Sequence, residues 1–145
     1  MKKDVIISIK GLQQSQGETQ DPITLVTAGR YYRKNGSYYI SYEETELTGL
    51  EGTRTTLRIK PNAVRLVRTG LYPSELVFEQ GKRHMSLYST PYGNMEIGVR
   101  ARRLNSTLEL TGGRLEIDYD IEINHMLAGQ SLFRIDVREN TPVKS

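Results

Sequence analysis

The chain has 145 residues, 37% apolar and 26% charged, which is the balance of one globular domain and not of a disordered chain. Lysine and arginine outnumber the acids by 20 to 17, and this net charge of +3 neither demands nor forbids a nucleic-acid partner. The absence of cysteine excludes disulfides and thiolate metal sites, and two isolated histidines, His84 and His125, make a poor metal centre.

In chain order, Met1-Lys2-Lys3 is basic, but the apolar segment Val5–Ile9 is too short for a secretory signal and Lys10 interrupts it. No apolar run reaches membrane-spanning length, so the expectation is a cytoplasmic protein with no membrane partner. Gln13–Asp21 is polar and reads as a loop or a weak helical turn. Asn35-Gly36 separates Ile23–Lys34 from Ser37–Glu44, a strong hairpin signal. Thr48–Gly52 carries two glycines and reads as a hairpin loop before the next strand, where Thr55, Leu57 and Ile59 alternate with Arg54, Thr56 and Arg58. Lys60-Pro61-Asn62 turns the chain into Ala63–Arg68. Gln80-Gly81-Lys82 parts Leu76–Glu79 from His84–Ser89, and His84, out of step with Met85 and Leu87, is expected to face outward. Thr90-Pro91-Tyr92-Gly93 suits a type I turn. Met95, Ile97, Val99 and Ala101 then alternate with polar residues, and Thr111-Gly112-Gly113 joins Leu104–Leu110 to Arg114–Ile123. That last segment is the clearest strand, with Leu115, Ile117, Tyr119, Ile121 and Ile123 on one face and Glu116, Asp118, Asp120 and Glu122 on the other. A longer connection, Asn124–Gln130, leads to Ser131–Arg138, and Glu139–Ser145 reads as a frayed tail.

This is an all-β chain in one domain, with about ten strands joined mostly by hairpin-length loops. An apolar face repeated along such a meander must be covered, either by a second sheet or by closure into a barrel. Short sequential hairpins favour an antiparallel up-and-down barrel, which also removes exposed edges.

Four segments carry a family resemblance: Tyr39-Ile40-Ser41-Tyr42-Glu43-Glu44, Thr48-Gly49-Leu50-Glu51-Gly52-Thr53, Tyr88-Ser89-Thr90-Pro91-Tyr92-Gly93 and Gly113-Arg114-Leu115-Glu116-Ile117-Asp118-Tyr119. Together, across nearly the whole chain, they resemble the YwiB-like family of small uncharacterised bacterial proteins. The resemblance implies a calycin-like (lipocalin-type) closed β-barrel of about 8–10 strands, the size that holds one small ligand. It brings no assigned activity. The chain has no tryptophan, so the Gly-x-Trp signature of true lipocalins is absent and a lipid-carrier role is not implied.

The candidate site follows from parity. Ile40, Tyr42 and Glu44 share one face of a strand, as do Val64, Leu66 and Arg68, so Glu44 and Arg68 are aimed into the barrel or its rim. They would either anchor a ligand carboxylate or phosphate, or form an ion pair plugging one end. Tyr88 and Tyr92, around Pro91, would stack on a flat ligand or cap the core. Tyr42, Glu44, Arg68, Tyr88 and Tyr92 are therefore the candidate ligand-binding residues. No nucleophile, general-base or metal pattern is visible, so no catalytic residue and no cofactor are assigned and an enzyme is disfavoured. The leading reading is a barrel that binds a small polar or anionic ligand at its mouth. The alternative is a packed scaffold that binds a protein or RNA partner through its charged exterior. Acids interleaved among the outward arginines weigh against a nucleic-acid face. An open seam between the first and last strands would pair two copies into a homodimer.

Overall fold

The computed structural model describes residues 2–15, 18–19, 23–46 and 50–140. The expected loop at Thr48 and Gly49, parts of the polar segment 13–21, and the end of the tail fall outside them. The strands are β1 (Lys3–Ser15), β2 (Glu18–Thr19), β3 (Ile23–Lys34), β4 (Ser37–Glu43), β5 (Thr53–Lys60), β6 (Ala63–Gly70), β7 (Ser74–Glu79), β8 (Arg83–Thr90), β9 (Gly93–Ser106), β10 (Gly112–Ile123) and β11 (Met126–Glu139). The ten long strands follow one another in sequence order around a single antiparallel sheet. β1 pairs with β11 from Val5 opposite Glu139 to Gln14 opposite Gln130, which closes the ring. The fold is a closed ten-strand antiparallel barrel, as the alternation and hairpin spacing predict. Among the described residues no helix is long and apolar enough to cross a membrane.

Four local readings change. Within the polar segment 13–21, β1 continues to Ser15 and pairs with β2 (Glu18–Thr19), so its described part is strand and not loop. The residues from Met95 to Leu104 belong to one long strand, β9, which ends at Ser106. Asp118 stands opposite Arg103 while Tyr119 stands opposite Ala101, so Arg102 is an extra residue. This bulge shifts the inward parity from Val99 and Ala101 to Leu104. β11 begins at Met126, because Asn124 and His125 both take positive φ (51° and 68°) and close a two-residue hairpin. His84 faces inward with Ser86 and Tyr88, while Met85 and Leu87 are exposed. A Glu79 carboxylate 3.2 Å from His84 Nε2 satisfies it there.

Inside, successive strands present rows of residues in register. One row is Ile40, Leu57, Leu66 and Leu76 on β4–β7, and all four are buried. The next is Tyr38, Ile59, Val64 and Phe78. Tyr31 of β3, opposite Ile40, stacks on Tyr38 and donates to the Glu109 carbonyl at 2.6 Å, so this buried phenol is satisfied. The acidic face of β10 is relieved by cross-strand arginines. Arg102 lies 2.6 Å from Asp118, Arg83 2.5 Å from Glu122, and Arg134 3.5 Å from Glu116. Arg114 likewise reaches Asp136 at 2.7 Å.

Candidate functional site

One row up from the Leu57 row, the inner face changes character. Tyr42 is opposite Thr55, Thr55 opposite Arg68, Arg68 opposite Ser74, Ser74 opposite Tyr88, and Tyr88 opposite Met95. Five polar-tipped side chains thus line up across five consecutive strands, β4–β8, at the end where β4 runs out into Glu44. The same period-2 alternation that puts leucines inside one step lower puts these inside.

Local structure holds the row in place. The Glu44 N–H donates to the Thr53 carbonyl at 2.9 Å, which carries the β4–β5 ladder one residue further and keeps Glu44 pointing inward. The Thr53 N–H and hydroxyl both bond the Leu50 carbonyl, so buried Leu50 folds over this end. Gly70 sits at φ +111°, and a Cβ there would lie 2.3 Å from the Gly52 carbonyl oxygen. Only glycine permits this contact, through which the loops after β4 and after β6 meet.

The polar groups form a directed chain. Arg68 Nε donates to the Thr55 hydroxyl at 3.3 Å, and that hydroxyl donates to Glu44 Oε1 at 2.5 Å. Arg68 Nη1 donates to the Tyr88 hydroxyl, and the guanidinium carbon lies 5.2 Å from the Tyr88 ring centroid. The Glu44 side chain is 2% exposed and that of Arg68 is 13% exposed. Both charges are therefore largely out of water, and each compensates the other. They stand 3.7 Å apart, linked through Thr55 and not by a bidentate fork. Two of the five guanidinium N–H groups are taken by Thr55 and Tyr88. The Nη2 end has no partner among the described residues.

The phenols respond to this setting. Burial, and next the Glu44 carboxylate, push the Tyr42 hydroxyl well above its ordinary pKa, with Arg68 opposing. Tyr119 of β10 adds a phenol that sequence reasoning assigned to the core. Phe78 packs edge-on against its ring at 4.9 Å. Burial raises the pKa of Tyr119, Tyr88 adds to the rise, and Arg68 works against it. Its signal in the sequence is a tyrosine among isoleucines and leucines on an inward face, where the hydroxyl needs company.

Tyr42, Glu44, Arg68 and Tyr88 come together. Tyr92, 99% exposed on the turn between β8 and β9, does not join them. Two interruptions in the wall flank the row. β3 comes into register with β4 only from Arg30 onward, so Ile23–Ala28 are in register with β1 and not with β4. β7 and β8 share a single pair in register, Ser74 with Tyr88, whereas the neighbouring seams run in register for six and eight residues. Outside the loops, Glu46, Glu51, Gly52, Leu71 and Tyr72 line an open depression of about 560 Å³.

The fold and this row define a class: a closed ten-strand β-barrel with an apolar interior and one polar, charge-bearing end. The chain belongs to the family described as a domain of unknown function, DUF1934, whose sequence profile matches residues 7–135. It is 25% identical over 119 residues to YwiB, an uncharacterized beta-barrel protein of Bacillus subtilis (strain 168), covering 82% of each chain. The crystal structure of the ywiB protein from Bacillus subtilis superposes with a TM-score of 0.84 at 23% identity, over 97% of this chain and 94% of that one. That likeness fixes the fold.

Proposed function

We propose that this protein is a cytoplasmic, non-enzymatic binder of a small polar or anionic ligand at the polar end of the barrel. Arg68 carries the reading. It is a guanidinium held inside the barrel by Thr55 and Tyr88, with its Nη2 end uncommitted and its charge balanced by Glu44 across 3.7 Å rather than consumed by it. A ligand carboxylate or phosphate placed against that end would gain charge-assisted bonds in a site already short of water. Tyr88 and Tyr119 supply phenol hydroxyls at the same end. The calycin-type use of a barrel mouth agrees with this placement.

The test is a thermal-shift screen of small carboxylates and phosphates on the wild type, Arg68→Lys and Tyr88→Phe. Lysine keeps the charge beside Glu44 but loses the fork. Compounds that raise the melting temperature of the wild type and fail with Arg68→Lys support the assignment. Equal responses from all three proteins would remove Arg68 as the anchor.

A further inference from the structure

The outer wall on the β3–β6 side carries an arrangement independent of the mouth. Tyr32 of β3 is opposite Tyr39 of β4, Tyr39 is opposite Arg58 of β5, and Arg58 is opposite Arg65 of β6. At a strand spacing of roughly 4.8 Å this row is about 14 Å long. The two tyrosine rings stack at 4.8 Å, and Lys2 Nζ lies 5.1 Å from the Tyr32 centroid. Two arginines directly opposite one another repel, and the fold keeps them there.

Their surroundings do not resolve the repulsion. Arg65 meets Glu75 at 3.3 Å, but Arg58 Nε is shut off from solvent and has no hydrogen-bond partner among the described residues. Lys60, further along the same face of β5, has no carboxylate partner among them either, nor do Lys2 and Lys34 at the β3 end; Arg33, of the opposite parity, lies over the Tyr38 ring instead. The bordering acids are already engaged, Glu75 by Arg65 and Glu79 by Lys82 and His84. A depression of about 110 Å³ lies between Arg58, Lys60 and Arg65, walled by Ala63, Val64 and Val77. On the opposite flank Arg83, Arg102, Arg114 and Arg134 each face a carboxylate.

We propose that this outer row binds the sugar-phosphate backbone of a single-stranded nucleic acid, with one phosphate seated between Arg58, Lys60 and Arg65. A phosphate there relieves the Arg58–Arg65 repulsion by placing an anion between the two guanidinium groups. The depression accepts one phosphate and no nucleoside. Lys2 and Lys34 lie along the row toward β3, where only a ligand with repeated phosphates reaches them. Contacts of this kind are sequence-independent and sensitive to salt.

The test is fluorescence anisotropy of the full chain with a labelled single-stranded RNA of about 12 nucleotides, at salt from about 50 to 200 mM. Binding should weaken steeply with salt. Arg58→Gln/Lys60→Gln should weaken it about tenfold or more and lower the log–log salt slope by roughly 0.7, the contribution of the one phosphate seated there. The same variant should melt no lower than the wild type, because it removes a like-charge pair, which separates lost binding from lost fold. Arg100→Gln/Arg103→Gln, on the other flank, should leave affinity within about twofold. Absence of salt-dependent binding, or equal loss in the two double variants, overturns the proposal. So does displacement of the RNA by poly-glutamate or inorganic phosphate at equal charge concentration, which would make the row a general acidic-peptide or small-anion site.

Discussion

Two neighbouring rows of the barrel interior, built by the same strands, differ in almost everything but geometry. The row of Ile40, Leu57, Leu66 and Leu76 is apolar and buried. One residue pair further along, Tyr42, Thr55, Arg68, Ser74 and Tyr88 replace it with hydroxyls and a charge. An apolar row stabilises through burial, at about 25 cal/mol per Å² of surface removed from water. A polar row in the same position has no such return, and its charges must be compensated to exist there at all. A barrel needing only a core would continue the leucines to the end. The polar row is therefore where the fold bears a cost, and costs of this kind concentrate at binding sites.

That contrast can be broken most forcefully at Arg68. Arg68→Met leaves the Glu44 carboxylate buried without its cation, and chemical denaturation should show a loss of about 3–5 kcal/mol. Adding Glu44→Gln should restore more than half of it; no recovery would mean that Arg68 stabilises by packing and not by charge. In the apolar row, Leu57→Ala should cost about 2–5 kcal/mol through the cavity it opens. Unlike the Arg68 loss, this should not be rescued by any change at Glu44. Tyr88→Phe removes one hydrogen bond to a charged group and should cost about 1.5–3 kcal/mol.

Alkali sharpens the comparison further. The hydroxyls of Tyr31, Tyr42 and Tyr119 all have pKa values raised by burial above the ordinary value of 10.0. Their neutral forms therefore contribute stability that is complete below pH 10 and lost as pH climbs past it, because the unfolded chain ionises first. Melting temperature should fall above about pH 10, and less steeply in Tyr42→Phe. An unchanged slope in that variant would place the alkaline sensitivity at the other two phenols. The smallest effect belongs to the exterior: Arg102→Ala breaks exposed pairs with Asp118 and Asp120 and should change stability by about 1 kcal/mol or less.

Much of this was legible along single strands. Period-2 parity alone puts Glu44 in step with Ile40 and Tyr42, and Arg68 in step with Val64 and Leu66. What parity cannot report is which strands meet, so Thr55, in step with Leu57 and Ile59, reads as filler. Its hydroxyl becomes the link between Arg68 and Glu44 only once β4, β5 and β6 are in register. Tyr119 is similar, since its approach to Tyr88 and Arg68 crosses the barrel. β8 misleads because apolar residues are assumed to face inward, whereas Met85 and Leu87 face out and His84 faces in. The Arg102 bulge shifts parity within one strand and imitates a strand break. Charge is the other case. A whole-chain balance of 20 against 17 reports neither that Arg58 and Arg65 stand opposite one another nor that the acids of β10 face arginines.

The central claim is that Arg68 in the polar row is a ligand anchor and not only half of an ion pair. Its most direct measurement is the guanidinium Nε–H resonance of Arg68 in proton–nitrogen spectra, assigned through Arg68→Lys and titrated with acetate, succinate, citrate and inorganic phosphate. The account predicts that at least one of these shifts the Arg68 resonance saturably, together with the amide of Tyr88, while the amide of Leu57 stays in place. A resonance that stays fixed through all four titrations would contradict it and leave the Glu44–Arg68 pair as a structural plug.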